Sequence, residues 1–121
     1  MIFVFGSNLS GIHGAGAAEY AFANKGASWG QGEGLSGTSY ALPTKGINIA
    51  HMPLEVIITH IDKFIRYAIS KPTFDFKVTQ VGCGLAGFTK EQIAPLFENA
   101  PNNCWFDPEW IKILPNRNYW V

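Results

Sequence analysis

The chain opens on an unbroken apolar run, Ile2-Phe3-Val4-Phe5, halted by Gly6. A stretch that is apolar on both faces and rich in β-formers predicts a buried strand starting almost at the first residue. Gly6 to Gly16 follow as a long loop, and Ala15 to Asn24 read as an Ala-rich helix closed by Gly26 in a left-handed cap. Residues 26–38 contain Gly26, Gly30, Gly32, Gly34 and Gly37 with few packing side chains besides Trp29 and Leu35, which predicts a flexible or ligand-shaped loop with little regular structure. Ser39 to Leu42 return to strand patterning, ended by Pro43-Thr44-Lys45-Gly46.

Leu54, Ile57, Ile58, Ile61, Phe64, Ile65, Ala68 and Ile69 keep the rhythm of an amphipathic helix, opened by Pro53 and stopped before Pro72. Its other face, with Glu55, Thr59, Asp62, Lys63 and Arg66, reads as solvated surface. Phe74 to Val81 alternate in strand fashion and run into a second glycine-rich loop, Gly82 to Phe88. Thr89 with Gln92 three residues on is a capping-box pattern, so a helix is expected from about Lys90 to Asn99, interrupted by Pro95. A short strand over Asn103 to Phe106, a turn or helix over Asp107 to Leu114 and an aromatic tail complete the chain. Strands alternating with helices give an α/β domain whose mainly parallel sheet is covered on both faces.

Composition sharpens this picture. With 121 residues, 47% of them hydrophobic and 15% charged, the sequence has the profile of one globular domain and not of a disordered tail. Nine basic and nine acidic side chains cancel, so no net field draws in a polyanion, and sequence-specific nucleic-acid binding is not expected. A phosphate-bearing ligand must be held locally. Cys83 and Cys104 lie too far apart in sequence for a C-x-x-C pair, so neither a zinc site nor a disulfide framework is expected. The first residues lack the basic region and cleavage site of a signal peptide, and no apolar stretch approaches spanning length; the expectation is a soluble, cytoplasmic protein without a membrane partner.

The chemistry concentrates at the carboxyl ends of the predicted strands, where open α/β sheets bind ligands. Three such ends carry unusual residues: Gly6-Ser7-Asn8, Pro43-Thr44-Lys45 and Gly82-Cys83-Gly84. Glycine lets a backbone approach a ligand and expose successive N–H groups, and a helix N-terminus adds partial positive charge, so Gly14-Ala15-Gly16 leading into a helix suits a pyrophosphate. Glycines also cluster in turns and tight packing, but two such loops in one small domain favour the ligand. Neither standard phosphate motif fits: there is no G-x-x-x-x-G-K-[ST], and Gly14-x-Gly16 is followed by Glu19 where a dinucleotide fingerprint needs Gly or Ala.

Asn8 followed by Gly11-Ile12-His13-Gly14-Ala15-Gly16-Ala17-Ala18, then Leu42-Pro43-Thr44-Lys45, then Val81-Gly82-Cys83-Gly84-Leu85-Ala86-Gly87, resembles the macrodomain superfamily, especially its compact ADP-ribose-binding and ADP-ribosyl-hydrolase branch. The similarity covers roughly residues 2–114. It implies a three-layer αβα, macrodomain-like fold with a mainly parallel or mixed central sheet, shortened at the N-terminus. ADP-ribose would lie across the sheet edge, its distal ribose in the first loop beside Asn8 and its diphosphate wrapped by Gly82–Phe88. In one branch a lysine at the place of Lys45 attacks the anomeric carbon with help from an acidic residue in the second loop; here that position is Ala86. Members usually also begin with two strands and an aspartate that reads the adenine amino group, a segment this chain starts too late to contain.

The resulting expectation is a protein that binds ADP-ribose or a related NAD-derived nucleotide, free or on an ADP-ribosylated macromolecule, and hydrolyses ADP-ribosyl bonds if it is an enzyme. No cofactor or metal is expected. Alternatives are a non-catalytic binder that senses or sequesters a nucleotide signal, and a protein-interaction module. The candidates for catalysis are Lys45, Asn8 and His13; those for ligand binding are Gly6, Ser7, Gly14, Ala15, Gly16 and Thr44 together with Gly82, Cys83, Gly84, Leu85, Ala86, Gly87 and Phe88. His13 offers a near-neutral imidazole or an ordinary loop hydrogen bond. Cys83 reads as a small packing residue for want of a paired base, and Phe88 as a core aromatic or, because its loop is implicated, a platform on which a base could stack.

Overall fold

The computed structural model describes residues 1–121. Its centre is a six-stranded mixed sheet, formed by β1 (Ile2–Asn8), β2 (Gly34–Ser36), β3 (Ser39–Lys45), β4 (Phe76–Val78), β5 (Cys104–Phe106) and β6 (Asn118–Tyr119) in the order β2-β3-β1-β4-β5-β6. Only β2 runs antiparallel to its neighbour. The helices are α1 (Gly16–Asn24), α2 (Leu54–Ser70) and the single turn α3 (Lys90–Ile93). The chain is thus an α/β protein with helices on both faces of a mixed sheet.

Alternation along β1 explains the layers. Val4 faces α2 with Tyr40, Leu42, Phe76, Val78, Cys104 and Phe106, where Ile57, Ile61, Phe64, Ile65 and Ala68 complete the larger core. Phe3 and Phe5 point the other way, onto Ala18 and Ala21 of α1, with Ala27 and Ala41. Both sides of β1 are covered, as its unbroken apolar run requires. Because the chain passes from β1 to β3 on one side and back across β1 to β4, consecutive right-handed crossovers place α1 and α2 on opposite faces. The crevice where they diverge opens at the carboxyl end of β1.

Several boundaries differ from the sequence reading. β1 continues through Gly6-Ser7-Asn8, and β3 continues through Pro43-Thr44-Lys45, because the two strands pair over their whole length. Pro43 is tolerated beside a register shift between Ser7 and Asn8, where a missing N–H costs the ladder least. β4 is shorter than the Phe74–Val81 pattern, and the helix expected to reach Asn99 passes after Ile93 into a 3-10 turn, Ala94–Phe97, at Pro95. The capping box is formed: Thr89 Oγ1 accepts from the Gln92 N–H at 3.3 Å, and Gln92 Oε1 accepts from the Thr89 N–H at 3.0 Å.

The largest correction concerns residues 26–38. They form neither a free loop nor a ligand wall but a strap that ends in β2 and braces the first glycine loop from behind. Gly30 N–H donates to the Gly11 carbonyl at 2.9 Å, and the Ser7 hydroxyl donates to the Gly32 carbonyl. A Cβ on Gly32 would fall 2.2 Å from the Asn8 carbonyl oxygen, so glycine serves close backbone packing here. Glu33 pins the strap to α2, its carboxylate accepting from His60 Nδ1 at 2.6 Å and Lys63 Nζ at 3.1 Å.

Two consequences are measurable. Phe64 lies against the rings of Tyr40, Phe76 and Phe97 at centroid distances of 5.0, 5.3 and 6.3 Å; Phe64→Ala is expected to lower unfolding free energy by about 3–5 kcal/mol in a denaturant titration. Partial burial opposes ionisation of Glu33, but the hydrogen bonds from His60 and Lys63 outweigh it and hold the carboxyl below its ordinary value of 4.5. A depressed folded pKa gives stability that is present above the unfolded value and lost as pH falls through the folded one. Wild type should therefore lose melting temperature more steeply than Glu33→Gln as pH drops below 4.5, and parallel curves would reject the pin.

Candidate functional site

The carboxyl ends of β3, β1 and β4 lie side by side, and a cavity of about 600 Å³ opens over them. That size suits a nucleotide-scale ligand. Its floor is Gly6, Ser7, Asn8, Thr44 and Lys45; one wall is Gly14, Ala15 and Gly16 with the first turn of α1; the other is Gly82, Gly84, Leu85 and Ala86. The structure therefore brings both glycine loops and the lysine to one place.

Geometry shows what each contributes. Ala15 caps α1 without a side-chain hydrogen bond, so the first N–H groups of the helix remain available at the cavity edge. Gly14 and Gly16 have open space where a Cβ would project, as does Gly84. Gly82, at φ +76°, lets the second loop turn back over β1, and the Phe88 N–H returns to its carbonyl at 2.9 Å. Lys45 is the only ionisable side chain on the wall.

Three polar candidates have structural partners. The Asn8 amide donates to the Ile12 carbonyl at 2.8 Å while its oxygen accepts from the Ile12 N–H at 3.0 Å, so this side chain shapes the first loop. The Ser7 hydroxyl holds the strap, and Thr44 Oγ1 donates to the Ser7 carbonyl at 3.4 Å. These groups set the floor in place.

Four candidates lie off the cavity. His13 is 1% exposed and packs its ring edge-on to Phe5 and Trp29, with Phe22 alongside. Its Nε2 donates to the Ser28 carbonyl at 2.9 Å, which fixes the tautomer and makes it a strut between the first loop and the strap. The proton-transfer reading of His13 is thereby corrected. Cys83 is half-buried against the larger core, with Sγ 3.6 Å from the Val81 carbonyl oxygen. Phe88 also packs on that core and stacks on His51 at 5.9 Å, so it is no platform for a base in the cavity; Gly87, at φ +85°, closes the turn from Gly84.

The wall also includes residues outside the expected binding set. Ile12, Ala17, Ala18 and Val81 supply apolar surface, and Thr79 and Gln80 supply polar groups at the end of β4. Thr79 and Gln80 were hidden inside an alternating strand pattern. Ile49 reaches the wall from a turn in which it and Asn48 adopt φ of +61° and +53°. A β-branched residue in that conformation is strained by about 1–2 kcal/mol, and no sequence signal announces it. The turn is held by Asn48 N–H donating to Ser10 Oγ at 2.8 Å and Gly46 N–H to the Ala50 carbonyl at 2.8 Å.

No cluster of His, Cys, Asp and Glu has the geometry to hold a metal ion, and no helix is long and apolar enough to cross a membrane. Comparison with known proteins gives no match to the chain, whether with family models, curated proteins or solved structures.

Burial, reinforced by the nearby Glu91 carboxylate, pushes the Cys83 thiol up to about 11, and burial pushes Cys104 up to about 12. The thiolate is the nucleophile, so both are quiescent at neutral pH. Iodoacetamide at pH 8 should alkylate the folded protein at least about tenfold more slowly than the unfolded chain, because burial withholds the thiolate from both cysteines. Rapid labelling of Cys83 in the native state would contradict its placement.

Proposed function

We propose that this protein binds ADP-ribose or a closely related NAD-derived nucleotide in the cavity over β3, β1 and β4, and holds it without turning it over. The observation that carries the reading is the meeting of two glycine loops, a helix N-terminus and Lys45 around one cavity. A diphosphate needs converging N–H donors and a cation, and these elements supply both although the net charge of the chain is zero. Residues Gly82 to Ala86 wrap the diphosphate, while Asn8 and Lys45 meet the distal ribose. The resemblance of the loop sequences to macrodomains points to the same ligand.

Binding is favoured over hydrolysis by the composition of the wall. Cleaving an ADP-ribosyl bond requires a group to activate the attacking atom and another to protonate the leaving group. Lys45 stands without a carboxylate or imidazole on the wall, Ala86 offers no acid, and His13 is buried in an aromatic cluster. The reading is thus of a sensor or sequestering protein, acting on free ADP-ribose or on an ADP-ribosylated macromolecule.

Calorimetric titration with ADP-ribose, run beside product analysis on an ADP-ribosylated protein, tests this directly. Saturable binding without release of free ADP-ribose is the expected result. Gly84→Val should abolish binding with the melting temperature preserved, because the added side chain projects into open space on the wall. Lys45→Ala should weaken it roughly tenfold to a hundredfold through loss of a charge-assisted contact. Unchanged affinity in Gly84→Val would remove the ligand from this cavity, and Lys45-dependent release of ADP-ribose would make the protein a hydrolase.

A further inference from the structure

Gln80 stands on the cavity wall two residues beyond β4. Its side-chain nitrogen donates to Asp107 Oδ2 at 3.0 Å and to Glu109 Oε2 at 2.5 Å. Ionised carboxylates only accept hydrogen bonds, so the amide has one orientation: nitrogen toward the two acids, carbonyl oxygen away from them. Both amide N–H groups are taken up, and no protein group donates to Oε1.

The surroundings hold that orientation. Asp107 Oδ1 accepts from the Glu109 N–H at 3.0 Å at the start of the 3-10 turn Pro108–Trp110. The Gln80 main-chain carbonyl accepts from the Cys83 N–H at 3.2 Å. The side-chain amide is therefore gripped by the two acids that follow β5, and its main chain is held by its own loop.

The cavity consequently has a direction. Lys45 ends β3 and Gln80 follows β4, with β1 between them, so the two side chains root about 10 Å apart, two strand spacings. The lysine end offers a cation. The glutamine end offers an acceptor, backed by two carboxylates that disfavour any further electron-rich atom. Gln80 lines the cavity, so a ligand that lies across the strands with its phosphates near the amide donors and reaches Oε1 meets an acceptor there.

Building on the ADP-ribose-type reading above, we propose that Gln80 determines specificity for the base of the nucleotide, selecting a ring that carries an amino group, as adenine does, over one that carries an oxo group in its place. An oxo group would set acceptor against acceptor, and the fixed amide cannot turn to relieve it. Discrimination thus comes as much from the repelled competitor as from the bond made to the correct base.

The test compares ADP-ribose with inosine diphosphate ribose, in which an oxo group replaces the adenine amino group, by calorimetry on the full chain. Wild type should bind ADP-ribose about tenfold more tightly. Gln80→Leu should bring the two affinities together through loss for ADP-ribose. The double variant Asp107→Asn with Glu109→Gln gives the amide neighbours that themselves donate, so Gln80 can turn and the preference should fall below about threefold with ADP-ribose still bound. A role confined to loop structure would not release the preference in this way.

Equal wild-type affinities, or a preference that survives in either variant, would overturn the assignment to Gln80 while leaving ADP-ribose binding intact. Failure of wild type to bind either compound would overturn the ADP-ribose reading itself, and this inference with it.

Discussion

The close approach of three chain segments at Gly6 is the constraint on which the cavity rests. A Cβ at this position would lie 3.2 Å from Thr44 Oγ1 and 3.4 Å from the Gly82 nitrogen. The first distance is tighter than most real contacts, and the second lies at the near edge of ordinary contact against backbone, which has little freedom to yield. Glycine in the middle of a strand weakens it locally, by roughly 0.5–1 kcal/mol relative to alanine. In return the second glycine loop settles against the end of β1, next to the end of β3. A side chain at residue 6 would press on Thr44 and on the main chain at Gly82, where β1, β3 and the second loop meet.

The polar residues of the first loop serve the same end. Ser7, Asn8 and His13 each bond to backbone in the loop or in the strap behind it. The loop is thus held in shape by the protein itself, so a ligand taken up there would have little ordering to impose. The strap is anchored in turn to β3 through the β2 ladder and to α2 through Glu33. A cavity rich in glycine and alanine gains its rigidity from side chains that bond to the main chain around and behind it.

How much of this was legible depends on where the information resides. The 3.6-residue period of 54–69 gave α2 with every buried position except that Ile69 faces outward, because a long amphipathic pattern records burial directly. The three strand ends were recognisable from their punctuation, and all three meet at the cavity. The strap was misread because its glycines look the same whether they flex, meet a ligand or pack on backbone; it is the close approach of Gly26, Gly32 and Gly37 to other main-chain atoms that distinguishes the last case. His13 was misplaced for a related reason: Phe5, Phe22 and Trp29 come from three separate segments, and no local pattern tells that they converge on one imidazole. Gln80 was concealed by its alternation, since a polar position in a strand reads as solvent-facing until β5 delivers two acids beside it.

The lengths of the outermost strands have a separate consequence. The sheet is built around two seven-residue strands, β1 and β3, yet it ends on one side in β2, with three residues, and on the other in β6, with two. An unpaired strand border is a template on which another polypeptide can assemble, and its hazard grows with the number of consecutive free amides and carbonyls. Tapering from the middle outward leaves a neighbouring molecule almost nothing to register against, so the architecture that concentrates the long strands under the cavity also shields the protein from edge-to-edge aggregation.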